Sequence, residues 1–152
     1  MTSTRSSVHV AAQPEAVYRA FVDPGLLLEW LPPAQMTGLI HAFDGRPGGG
    51  YVMSLFYPPE QRDFRGKTTE REDRIRVRFV ELSPPRRLVE TVTFETDDPA
   101  LQGEMSLTVT LEPLDGGTEV TMVVENLPPG LRPEYNEAGA RISLDQLARR
   151  FG

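Results

Sequence analysis

The chain has no cysteine and only two histidines in 152 residues. Without cysteine there can be no disulfide staple, zinc–thiolate site, iron–sulfur cluster or thiol nucleophile, and the expected setting is the cytoplasm. Long apolar runs are also missing. Leu26-Leu27-Leu28 stops at Glu29, far short of the roughly 20 residues that cross a bilayer, so no membrane insertion is expected. The stretch from Met1 to Ser7 is polar and does not read as a signal peptide. Basic charge is scarce: 16 Lys and Arg against 22 Asp and Glu give a net charge of −6. Such a balance repels a phosphate backbone, so nucleic acid is not an expected partner.

Several catalytic and cofactor templates fail at single positions. Gly66-Lys67-Thr68 ends like a phosphate-binding loop, but Gln61 stands where its first glycine belongs. Gly48-Gly49-Gly50 is followed at the required spacing by Met53, not glycine, which excludes the dinucleotide fingerprint. Neither a Gly-x-Ser-x-Gly elbow nor a His-Glu-x-x-His helix occurs. No cofactor, metal or catalytic residue is therefore assigned. With no repeat, heptad array or linker, the length fits a single domain spanning residues 1–152.

What the chain does contain is periodicity. Ser6 to Val10 alternates like a first strand, and Pro14 suits the first turn of a helix whose face carries Val17, Ala20 and Phe21. Asp23-Pro24 ends that helix and caps a second, which runs to Trp30. Met36 to Asp44 and Tyr51 to Tyr57 make a hairpin around a glycine-rich loop. The polar segment from Pro58 to Lys67 reads as a long loop that could act as a lid.

Four more strands follow. Ile75, Val77 and Phe79 alternate with Arg74, Arg76 and Arg78, and Leu88, Val92 and Phe94 share their face with Glu90. Met105, Leu107, Val109 and Leu111 alternate with polar residues, then Asp115-Gly116-Gly117 turns into Val120, Met122 and Val124. One sheet face is thus apolar and the other polar. From Pro133 to Phe151, Ala140, Leu144, Leu147 and Phe151 form one helical stripe, which needs that apolar face as its partner. Tyr135, Ala138 and Ile142 lie on the other side, free to meet loops or a second copy in a homodimer.

The fold class is α+β. A curved antiparallel sheet of about six to seven strands wraps a long C-terminal helix, with two short helices after the first strand: the helix-grip arrangement. Five stretches in order, Pro14 to Trp30, Gly48 to Tyr51, Ser83 to Val89, Gly117 to Thr121 and Gly139 to Leu147, narrow it further. Together they resemble the activator-of-Hsp90-ATPase-homologue-like (AHSA1-like) branch of the START/Bet v 1 (SRPBCC) superfamily. That resemblance implies a deep apolar cavity between sheet and helix that takes lipids, polyketides or similar molecules, but no reaction. Many relatives carry Gly-Trp where this chain has Gly139-Ala140, which implies a roomier pocket.

Under that expectation Trp30, Tyr51, Met53, Leu55, Glu90, Val92, Phe94, Met105, Leu107, Val109, Met122 and Leu144 line the ligand site, although core filling accounts for most of them equally well. Glu90 is the chemical lead, since a carboxylate on an apolar face must be hydrogen-bonded, paired, protonated or wetted. It reads first as a strand-end carboxylate paired with Arg74, Arg76 or Arg78, and second as a polar anchor or general base. His9 and His41 read as surface or edge histidines, and the arginine row as a solvated face. The leading function is binding of an apolar small molecule. A cyclase, dehydratase or hydrolase using a cavity carboxylate or histidine is the enzymatic alternative, and a chaperone-associated or other protein-interaction module is the third.

Overall fold

The structure, a computed structural model, describes residues 2–58, 66–69 and 71–152. Most of the expected loop from Pro58 to Lys67, residues 59–65, lies outside the described residues. The chain runs β1 (Ser3–Val10), α1 (Pro14–Val22), α2 (Pro24–Trp30), β2 (Thr37–Asp44), β3 (Gly50–Phe56), β4 (Glu72–Ser83), β5 (Arg87–Phe94), β6 (Met105–Leu114), β7 (Gly117–Glu125) and α3 (Pro133–Arg150). The strands form one curved antiparallel sheet in the order β1-β7-β6-β5-β4-β3-β2. All neighbours but one pair are consecutive hairpin partners. The exception brings β1 beside β7, and α1 and α2 carry the chain from that edge to the other.

Local chemistry sets the boundaries. Pro14 opens α1 where its missing N–H costs no hydrogen bond. Asp23 has extended backbone and accepts the Leu26 N–H at 3.0 Å, capping α2. Asp115 and Gly116 both take positive φ, 49° and 77°, as the two-residue turn between β6 and β7 requires. Gly50 is needed for a different reason: a Cβ there would stand 1.9 Å from the Val77 carbonyl oxygen across the β3–β4 ladder. Two register shifts bend the sheet, one between Ile40 and Ala42 and one between Phe79 and Glu81.

The apolar face carries the core. Val17, Tyr18, Ala20 and Phe21 of α1 and Leu27 and Trp30 of α2 are buried. Trp30 donates its indole N–H to the Ala20 carbonyl at 2.9 Å and meets Phe21 edge to face at 4.8 Å, fixing the two helices together. On the sheet, Phe43 stacks on Tyr51 at 5.6 Å, and Phe79 lies within about 6 Å of both rings.

Helix α3 packs along β1 and against α2. Its polar side chains fasten it: Ser143 donates to the Leu31 carbonyl at 2.7 Å, and Gln146 donates to the carbonyls of Trp30 and Pro32 while accepting the Ala34 N–H at 3.0 Å. Gln146 therefore satisfies carbonyls that the end of α2 leaves unpaired. All these bonds fall in the second half of α3; the first half is held to β1 by Thr4, which donates to Asn136 Oδ1 at 2.8 Å. Among the described residues no helix is long and apolar enough to cross a membrane.

Candidate functional site

The apolar stripe of α3 is continuous in sequence but not in burial. Leu144 and Leu147 are sealed, whereas Asn136, Gly139 and Ala140, one to two turns earlier, remain partly exposed. A Cβ added at Gly139 would meet no atom within 4 Å. The sheet changes in the same way. Met53, Val77, Phe79, Leu88, Val109, Leu111 and Val120 are fully enclosed in the main core, while Leu55, Ile75, Val92 and Leu107 are only half-buried against it. Val92 and Leu107 also touch a second, smaller cluster of Met105, Val124 and Leu127, with half-buried Phe94 and Leu131 at its rim.

The twelve residues named from sequence therefore separate. Trp30, Met53, Val109 and Leu144 are sealed core residues, and Met122 is nearly so. Leu55, Val92, Phe94 and Leu107 keep partly open apolar surface, with Met105 behind them. Tyr51 and Glu90 lie deeper, 5% and 3% exposed.

Glu90 corrects the first reading of that residue. It is neither at a strand end nor paired with arginine: its neighbours across the sheet are Phe79 and Leu107, and Arg74, Arg76 and Arg78 point to the opposite face. The alternation places it among apolar residues because β5 holds one register against β6 through this point, the extra residue of the Phe79/Glu81 shift lying on β4. No hydrogen bond or ion pair reaches its carboxyl among the described residues. Burial alone pushes its pKa up to about 8, so it holds a proton near neutrality. Burial, and then the Glu90 charge, push the Tyr51 hydroxyl well above its ordinary value. Two other buried hydroxyls, Ser6 Oγ and Tyr18 Oη, also lack partners, but their oxygens are wholly enclosed. The unpartnered oxygens of Tyr51 and Glu90 are not enclosed in that way and keep contact with open space.

Asp73, on the same sheet face opposite Leu55, is saturated by comparison. It accepts from the Tyr57 hydroxyl at 2.6 Å, the Lys67 backbone N–H at 2.6 Å and Lys67 Nζ at 3.0 Å. Lys67, the only lysine in the chain, also sits 5.1 Å above the Phe94 ring.

The other sheet face holds a polar chain that sequence reasoning missed. His41 Nε2 lies 2.7 Å from Ser54 Oγ, and Ser54 donates a hydrogen bond to Glu72 Oε2. Arg74 Nε donates to Glu72 Oε2 at 3.0 Å and to Ser54 Oγ at 3.2 Å, and its Nη1 lies 3.3 Å from Glu95. The Ser54 hydroxyl, followed by Arg74, holds the Glu72 carboxyl below its usual range. A serine has one proton, so once it goes to Glu72, His41 must donate to Ser54 rather than accept from it. That is the reverse of nucleophile activation, in which histidine takes the serine proton. The only signal in the sequence was a lone serine between Met53 and Leu55. The register shift at His41 that brings the two together leaves no mark on the residue pattern. His9 is an exposed edge residue bonded to the Leu114 carbonyl at 2.9 Å. Among the described residues no group of three His, Asp or Glu is arranged to hold a metal.

A seven-stranded curved antiparallel sheet, two short helices and a long C-terminal helix gripped against one face define a helix-grip protein. The chain belongs to the activator of Hsp90 ATPase homolog 1-like family, whose profile matches residues 11–152. A crystal structure of a Chromobacterium violaceum protein is 34% identical, with a TM-score of 0.85 over 98% of this chain and 96% of that one. A Rhodobacter sphaeroides protein matches at 24% identity and TM-score 0.79, covering 98% and 91%. One from Arthrobacter aurescens matches at 20% and 0.78, covering 96% and 83%. The last two show the fold alone. No curated protein matches the sequence significantly.

Proposed function

We propose that this chain is a cytoplasmic binding protein for an apolar small molecule, held in a groove between the sheet and the first half of α3. The observation that carries this reading is unfinished burial: Leu55, Val92, Phe94 and Leu107 stay half-buried on the apolar sheet face, and the first half of α3 carries small or polar residues at Asn136, Gly139 and Ala140. Covering such surface with ligand stabilises the complex by about 25 cal/mol per Å² removed from water. A larger side chain at Ala140 should obstruct such a groove. The neutral fluorophore N-phenyl-1-naphthylamine tests this. Saturable one-to-one uptake with a blue-shifted emission is expected, and Ala140→Trp is expected to weaken it by on the order of tenfold, since about 1.4 kcal/mol of lost contact is enough. Absence of saturation in the unsubstituted protein removes the reading.

An enzymatic reading has one observation in its favour, the unpaired Glu90 carboxyl with a pKa near the operating pH of a general acid or base. It predicts that Glu90→Gln abolishes turnover of a substrate whose binding it leaves intact.

A further inference from the structure

We propose that Tyr51 and Glu90 form a paired donor site at the floor of the groove, selecting apolar ligands that carry an uncharged carbonyl oxygen, as in aryl ketones and quinones. This deepens the binding reading above and rests on it. Four observations support the assignment. Both side chains are more than nine-tenths buried, yet neither has a hydrogen-bond partner among the described residues. A buried polar group left unpaired is costly, so a site that keeps two is either destabilised or completed by something it binds. Their oxygens are not walled in, unlike those of Ser6 and Tyr18.

The second observation is placement. Tyr51 lies opposite Val77, which in turn lies opposite Val92, and Glu90 is two residues before Val92 on the same face. The two groups thus stand two strands and two residues apart, roughly 10 Å across the sheet and 7 Å along it. A tyrosine and a glutamate leaning together close most of that span.

Rigidity is the third. Tyr51 is stacked on Phe43 at 5.6 Å and flanked by Phe79 at 5.9 Å, and Phe79 is also the cross-strand neighbour of Glu90. The phenol is therefore held before any ligand arrives, which lowers the ordering cost of binding.

Fourth is charge. The residues facing Glu90 from the adjacent strands, Val77 and Phe79 on β4 and Leu107 and Val109 on β6, are apolar. Among the described residues no cation is paired with either group to neutralise a carboxylate or phosphate brought into this apolar setting; Lys67 is taken up by Asp73. A protonated carboxyl and a phenol offer two O–H donors, and a carbonyl oxygen has two lone pairs to accept them.

The test compares 6-propionyl-2-(dimethylamino)naphthalene, an aryl ketone, with 2-(dimethylamino)naphthalene, which lacks the carbonyl. Fluorescence titration gives the affinities, and difference infrared spectroscopy follows the carbonyl stretch of the bound ketone. The ketone is expected to bind on the order of tenfold more tightly than its counterpart, the effect of one or two net hydrogen bonds. Its carbonyl band is expected to move to lower wavenumber on binding. Tyr51→Phe and Glu90→Leu should each erase most of that preference and return the band towards its free position, while the affinity of the carbonyl-free compound holds. Glu90→Gln, which keeps a donor, should retain part of both effects. If Glu90→Leu fails to fold, Tyr51→Phe alone decides the matter. Equal affinities with no band shift overturn the donor pair and leave the groove standing. If neither naphthalene saturates, the groove reading falls and takes the donor pair with it.

Discussion

The two halves of the apolar sheet face have been given different coverings. Beneath α1, α2 and the second half of α3, side chains are sealed, aromatic rings interlock and Gln146, Ser143 and Trp30 satisfy backbone carbonyls. Away from that cover, Leu55, Val92, Phe94 and Leu107 remain half-buried on β3, β5 and β6, and the first half of α3 carries Ala140, Gly139 and Asn136. The composition of the sheet does not account for the contrast, because apolar residues alternate through both halves. What differs is the lid. Stability is concentrated where three helices converge, and the open half is released from that duty.

The strongest way to break this comparison is to titrate the group on the boundary. The folded-state pKa of Glu90, about 8, lies above its ordinary value of 4.5, so folded protein keeps a proton that unfolded chain has lost. Folding stability should therefore fall as pH rises through that window, by up to about 5 kcal/mol, and level off above it. Glu90→Gln should flatten the curve and be the more stable protein at pH 9, as followed by urea denaturation across pH 5 to 9. A curve of unchanged slope in the variant would mean that Glu90 is solvated and that the open half reaches further than its burial suggests.

A matched pair of truncations sharpens the contrast itself. Leu147→Ala, in the sealed half, should cost about 3 to 4 kcal/mol, whereas Leu107→Ala, in the open half, should cost about 1 to 2, because less contact is lost and water can enter. Equal losses would erase the distinction between the halves. A smaller effect comes from the scaffold that holds the sealed side: Asp23→Ala removes the cap of α2 and should cost about 1 kcal/mol, read as a lowered melting temperature.

Much of this architecture was readable in the residues. The period-2 runs from Arg74 to Val124 identified both sheet faces, and Asp115-Gly116 marked its turn because only a left-handed pair fits it. Asp23-Pro24 announced the α1–α2 junction for an equally local reason. The site was less legible, since alternation reports which face a side chain takes and not how deep it lies. Glu90 was placed on the apolar face by its spacing, but whether an arginine could reach it depended on which way the β4 side chains point across the ladder. The stripe Ala140, Leu144, Leu147, Phe151 looked uniform, yet where it is sealed depends on how α1 and α2 dock, a relation between distant segments. The His41–Ser54 contact needed a register shift, which no periodicity encodes.

The single lysine offers one practical consequence. With every other side-chain cation of the described residues a guanidinium or an imidazole, amine-directed chemistry on this chain has one side-chain target, Lys67, beside Phe94 at the rim of the open half. A fluorophore coupled there would sit beside the half-buried Phe94 ring, and a change in its emission on adding an apolar ligand would report directly whether that surface becomes covered.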